Sequence, residues 1–162
     1  MDLYGTIQSQ YQAALEMLRQ AIAACPESLW NAAGEQSHFY RVAYHALFYT
    51  HLYLQPTIAD FVPWEGHKHG AESVGSGQAA DTAAQFSKED LLAYHELCVD
   101  QVRSRVPALD LESASGFEWL PFDKLELQFY NIRHLQHHTG QLCDRLRTGA
   151  DLGVDWVSAR HD

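Results

Sequence analysis

His134 and His138 stand four residues apart in the run Tyr130-Asn131-Ile132-Arg133-His134-Leu135-Gln136-His137-His138-Thr139-Gly140-Gln141-Leu142. Four residues advance a helix by about 400°, so both side chains leave it from nearly the same spot. Two imidazoles so placed form a bidentate metal clamp, and neutral imidazole is the commonest protein ligand for zinc and its neighbours. The spacing also fits a pair of core histidines satisfied by hydrogen bonds. It points to a site before it points to a reaction.

The face of the helix carries further polar groups. With His134 at zero, His138 lies near +40°, Asn131 near +60°, Gln141 near −20° and His137 near −60°, at about 100° per residue. Leu125, Phe129, Ile132, Leu135, Cys143 and Leu146 form a broad apolar arc on the other side, the pattern of a helix buried on most faces. Polar groups in such a helix need partners, because an unpaired buried one costs on the order of 1–3 kcal/mol. Asn131 and Gln141 are candidates to orient a ligand ring or a bound water, and a plain packing role suits Gln141 equally. Gly140 inside a helix costs about 1 kcal/mol against Ala, which suggests a close helix approach there. Arg133 and Arg145 suit surface roles better than contact with an anionic substrate.

One helix gives two ligands, so a third must come from elsewhere. His45, in Tyr44-His45-Ala46-Leu47-Phe48, is the strongest candidate because it sits mid-helix among large apolar residues. His51 is rotated about 240° from His45 and reads as peripheral, while His38 shares its face about 10 Å away. His95 is a weaker candidate for lining the site. His67 and His69 form an HxH pair in a glycine-bounded loop and read as solvent-exposed, and His161 as tail. Three imidazoles leave coordination positions open for water or substrate, the layout of a catalytic or ligand-binding site. A carboxylate-rich di-iron site needs Glu-x-x-His on two helices. Only Glu35–His38 supplies it, so that class is set aside.

Four helical segments must hold these residues: about Leu3 to Ala24, closed by Pro26; Ser37 to Ile58, with Pro56 ending or kinking it; a segment from the N-cap Ser87 to Val106; and Asp123 to Gly149, opened by Asp123 and Glu126. The expected fold is all-α, a four-helix bundle in one domain over 1–162. The link between the first two helices is short, which allows antiparallel neighbours. The stretch from Phe61 to Phe86 is long enough to cross the bundle, so helices two and three can run parallel.

Composition excludes several partners. The 162 residues carry 11 basic and 21 acidic side chains, a net charge of −10, which argues against nucleic acid and anionic membranes. No apolar run approaches the roughly 20 residues of a membrane span. Cys25, Cys98 and Cys143 stand singly, which fits buried small hydrophobes in a reducing cytoplasm, and the first residues show no export signal. Trp64, Trp119 and Trp156 read as partly exposed, suited to a dimer contact or a site mouth.

His134-x-x-x-His138-Thr139-Gly140-Gln141-Leu142, followed by an Arg/Leu-rich turn and Trp156-Val157, resembles the closing motif of the DinB/YfiT-like metal-dependent proteins. Tyr44-His45-Ala46-Leu47-Phe48 with Tyr53-Leu54 is similar to that family's helix-two motif. The resemblance implies a four-helix bundle with a long crossover between helices two and three. It implies a divalent metal site at His45, His134 and His138, for zinc or nickel, with iron and manganese also compatible, and a homodimer. It implies transferase or isomerase chemistry using low-molecular-weight thiols. Beside it stand a hydrolase acting on a small molecule, a non-catalytic metal- or ligand-binding stress protein, and a metal-free helical module. No residue in the sequence can be placed as nucleophile or general base.

Overall fold

The computed structural model describes residues 1–32, 37–74 and 85–160. Its helices are α1 (Leu3–Ala24), α2 (Glu27–Trp30), α3 (Phe39–Tyr53), α4 (Lys88–Arg105) and α5 (Lys124–Ala150). Among the described residues there is no strand, and no helix is long and apolar enough to cross a membrane.

Contacts between the long helices fix their directions. Tyr4 at the start of α1 reaches Leu109 beyond α4, while Lys88 at the start of α4 reaches Ala23 at the end of α1, so α1 and α4 are antiparallel. Tyr11 pairs with Gln128 and Met17 meets Gln136, so α1 and α5 are parallel. Asn131 bonds Thr50 and Arg145 bonds Ser37, so α3 and α5 are antiparallel. Cys98 meets Leu47 and Gln101 meets Gln55, so α3 and α4 run parallel, as the long crossover allows. The first two long helices are antiparallel but sit across a diagonal of the bundle rather than side by side. Trp30 of α2 is buried, and its indole donates to the Phe86 carbonyl just before α4.

The core follows helical spacing. Tyr11, Leu15, Leu18 and Ile22 of α1 meet Tyr44 and Leu47 of α3, Leu91, Tyr94 and Cys98 of α4, and Leu127, Leu135, Leu142 and Leu146 of α5. Cys25 and Cys98 are buried and Cys143 half-buried; burial pushes the Cys98 thiol up, and Cys25 up to about 11. These are packing groups. Ser87 and Asp90 close a capping box on α4, and the Asp123 carboxylate accepts from the Glu126 amide at the start of α5.

Three expectations are corrected. The second long helix ends at Tyr53, well before Ile58, because Pro56 has no N–H and disfavours helical backbone before it. One 3-10 turn follows at Ile58–Asp60. Phe129, counted in the apolar arc of α5, is exposed, since the buried stripe runs through Leu127, Gln128, Asn131, Leu135, His138, Thr139 and Leu142. Gly140 faces open space rather than a neighbouring helix. Glu35, Gly75, Gly77 and His161 lie outside the described residues.

The turn before α5 is held by two special groups. Lys124 is buried, and its ammonium donates to the carbonyls of Gln55, Pro56 and Ser115. Gly116 has φ +84°, and a Cβ there would run into the Pro56 carbonyl. Gly116→Ala should therefore lower unfolding free energy by about 2 kcal/mol or more. Gly140→Ala should raise it by up to about 1 kcal/mol, because that site is helical and open. Urea titration of both variants checks the pair.

Candidate functional site

Because α3 and α5 are antiparallel and packed, His45 faces His134 and His138. The Nε2 atom of His134 is 3.1 Å from Nε2 of His45 and 3.1 Å from Nε2 of His138. Each of the three residues offers a ring nitrogen within 4.8 Å of the other two, a group that could hold a metal ion. His45 and His138 are buried, and His134 is half-buried.

Contacts behind the rings decide where their protons sit. Nδ1 of His45 lies 2.5 Å from the Glu72 carbonyl, which can only accept, so this nitrogen carries the hydrogen. Nδ1 of His138 donates to Oε1 of Gln141 at 2.9 Å, while the Gln141 amide nitrogen lies 3.2 Å from Nε2 of His137, consistent with that amide orientation. Both neutral rings therefore present bare lone pairs on Nε2, and both aim at Nε2 of His134. At most one hydrogen can stand among the three nitrogens. Nδ1 of His134 is buried without a partner, so nothing on its far side fixes the tautomer.

Burial keeps these rings neutral. It pushes His45 down to about 4 and His134 down to about 3, the latter also through the adjacent imidazoles. His138 is lowered by burial too, with Gln141 opposing. At neutral pH no proton has to leave before a cation can be held. Ligand nitrogens on a tetrahedral ion with bonds of about 2.0–2.1 Å stand roughly 3.3 Å apart, close to the spacing here. The donor set fits a divalent ion.

Sequence reasoning missed the two residues that seat His45. Arg41, one turn earlier on α3, donates from Nε to the Ser73 carbonyl and from Nη2 to the Gly70 carbonyl, both at 2.8 Å. That pins the loop whose Glu72 carbonyl holds His45. The signal for Arg41 was available, as an arginine among buried apolar positions four residues before a candidate ligand. Nothing in the sequence pointed to Glu72.

The remaining histidines separate. His51 is buried rather than peripheral, with Nδ1 3.3 Å from the Tyr94 hydroxyl and its ring edge-on to Phe61. The long link folds back over that side of α3, which the helical wheel cannot show. His67 is half-buried and bonded to the Tyr44 hydroxyl at 2.6 Å, against the expected exposure, whereas His69 is exposed. His95 turns to the Leu15 carbonyl of α1, away from the trio. His38 stands at the N-cap position of α3 without a side-chain capping bond and stacks on Tyr40. Asn131 donates to the Thr50 carbonyl, tying α5 to α3 one turn from His134.

A cavity of about 550 Å³ opens on His45 and His134. Its walls include Tyr49, Tyr53, Phe61, Trp119, Tyr130 and Glu72. Trp119 stands at this cavity with its indole 3.4 Å from the Tyr53 hydroxyl, Trp64 stacks on Tyr94, and Trp156 is exposed elsewhere.

A family model described as the DinB superfamily matches residues 10–142, a span that contains α3, α4 and all three histidines. The chain belongs to the DinB superfamily. Comparison with curated proteins and with solved structures finds no match. The all-helical architecture is consistent with a DinB-like bundle.

The lowered histidines have a consequence for stability. In the unfolded chain each imidazole takes up a proton near pH 6.5; in the folded chain His45 and His134 resist until about 4 and about 3. The unfolded state thus binds more protons below pH 6.5, and stability falls as pH drops through that window. Melting of metal-free protein between pH 7 and 4 should show this decline, with a shallower slope in His45→Asn.

Proposed function

We propose that this DinB superfamily chain is a metal-dependent enzyme that holds one divalent ion on His45, His134 and His138 and acts on a small molecule in the adjoining cavity. The observation that carries the reading is the convergence of three ring nitrogens with at most one hydrogen among them. A bound ion with open positions supplies Lewis acidity and lowers the pKa of a water or thiol that joins it. Zinc or nickel suits three imidazoles best, with iron and manganese also compatible. A low-molecular-weight thiol is the proposed co-substrate, for transferase or hydrolase chemistry in a reducing cytoplasm.

The protein's own residues set the geometry. The Glu72 carbonyl and Gln141 hold the Nδ1 hydrogens of His45 and His138, which keeps Nε2 of each ring free for the ion. Tyr49 and Tyr130 pack against His134, shielding one side of the trio from water. A homodimer belongs to the same proposal, and exposed Phe129 and Trp156 are apolar side chains it can cover.

Metal analysis of untagged protein should find about one divalent ion per chain, lost in His45→Ala and retained in His69→Ala. Gln141→Leu should weaken metal affinity by roughly tenfold while leaving the bundle folded, measured by competition with a chromophoric chelator. Thermal shifts with a panel of cellular thiols, with and without metal, then test the substrate. A chain that neither copurifies with nor takes up an ion would sink the metal reading. A loaded chain indifferent to every thiol would favour a metal-binding protein without catalysis.

A further inference from the structure

The cavity beside the trio has an unusual charge balance. Aromatic rings of Tyr49, Tyr53, Phe61, Trp119 and Tyr130 supply most of its wall. The only carboxylate on the wall is Glu72, and no lysine or arginine lines it among the described residues. Oε2 of Glu72 is buried with no hydrogen-bond donor. Glu72 as a residue is half-buried, and this oxygen is the one left without an N–H partner.

The loop cannot easily take this carboxylate elsewhere. Arg41 holds the carbonyls of Gly70 and Ser73, and the Glu72 carbonyl is engaged by His45, so backbone on both sides of the Glu72 side chain is tied down. The net charge of −10 gives the whole molecule a field that gathers cations and repels anions. Aromatic faces bind cations through their quadrupole, and they also accept a flat apolar body. Most walls of this cavity thus favour the same kind of guest.

Taking this cavity as the substrate site of the function proposed above, we infer that its substrate class is a small protonated amine carried on an apolar or aromatic body. The ammonium lies toward the Glu72 carboxylate, and the apolar body packs between Tyr53 and Trp119. A protonated amine supplies both the charge and the N–H donors that Glu72 lacks. A neutral alcohol supplies a donor without the charge, and in the metal-free cavity an anion meets repulsion. Amine recognition rests on Glu72 and the aromatic wall, and because His45 and His134 share that wall a bound ion would oppose it, so the metal-free chain is where it is read.

Calorimetric titration of the full chain at pH 7, both metal-free and zinc-loaded, tests this with three probes of one shape: phenethylamine, phenethyl alcohol and hydrocinnamate. In the metal-free chain the amine should bind roughly tenfold tighter than the alcohol, with the acid weakest; zinc adds positive charge at the cavity and should narrow that ranking. Glu72→Gln should erase the preference for amine over alcohol, Glu72→Asp should keep it, and Trp119→Ala should weaken amine and alcohol alike. The wild-type ranking stands without any variant. In the metal-free chain, equal or tighter binding of the alcohol or acid, or no measurable binding of the amine, overturns the inference. Metal content is measured on the same samples. A chain that takes no ion yet prefers the amine sinks the metal reading and supports this one; a chain that takes zinc yet is indifferent to probe charge when metal-free does the reverse.

Discussion

Three imidazole nitrogens gathered within 4.8 Å of one another, with His134 3.1 Å from each of the other two and at most one hydrogen to share, are the constraint around which the surrounding structure is arranged. Lone pairs facing lone pairs repel, and burial denies them water. Such a group persists only because the packing of α3 on α5 leaves the rings little freedom. The same burial that makes the arrangement costly keeps every ring neutral, through depressed proton affinities at His45, His134 and His138. Cost and chemical readiness have one origin.

The support around the trio is unequal. His45 is held by a loop that its own helix anchors through Arg41, so α3 supplies both the ring and the means of orienting it. His138 is held within α5 by Gln141, one turn away. His134 has no such partner at Nδ1, and aromatic packing by Tyr49 and Tyr130 sets its ring instead. The polar atoms left buried without partners, on His134, Glu72, Asn131 and His38, fall on or around α3 and α5. Natural proteins leave few such groups, and two of these, on His134 and Glu72, line the cavity.

Much of the fold was legible. Helix boundaries at Asp123 and Ser87 were readable because capping is local: one side chain, one amide, three residues apart. The parallel run of α3 and α4 was readable because chain length limits topology. The helix-four pair was readable because spacing alone decides whether two side chains share a face. Gly140 shows where such reasoning stops. A glycine in a helix leaves room for a neighbour, but whether one comes is decided elsewhere in the chain. His51 failed for the same reason, since its burial comes from a segment that folds back from Phe61 onward.

What the sequence determined by itself was therefore local: where the long helices lie, the caps at Ser87 and Asp123, the i,i+4 clamp on α5 and the acidic composition that argues against polyanions. His45 was already the strongest third candidate in the sequence; tertiary structure decided that its ring reaches the other two, that the Glu72 carbonyl and Arg41 hold it in place, and that a carboxylate stands in an aromatic cavity beside it. Local order follows from 3.6 residues per turn and can be counted along the chain. Convergence of groups separated by dozens of residues depends on how helices pack and where a long link comes to rest, and no spacing in the sequence records that.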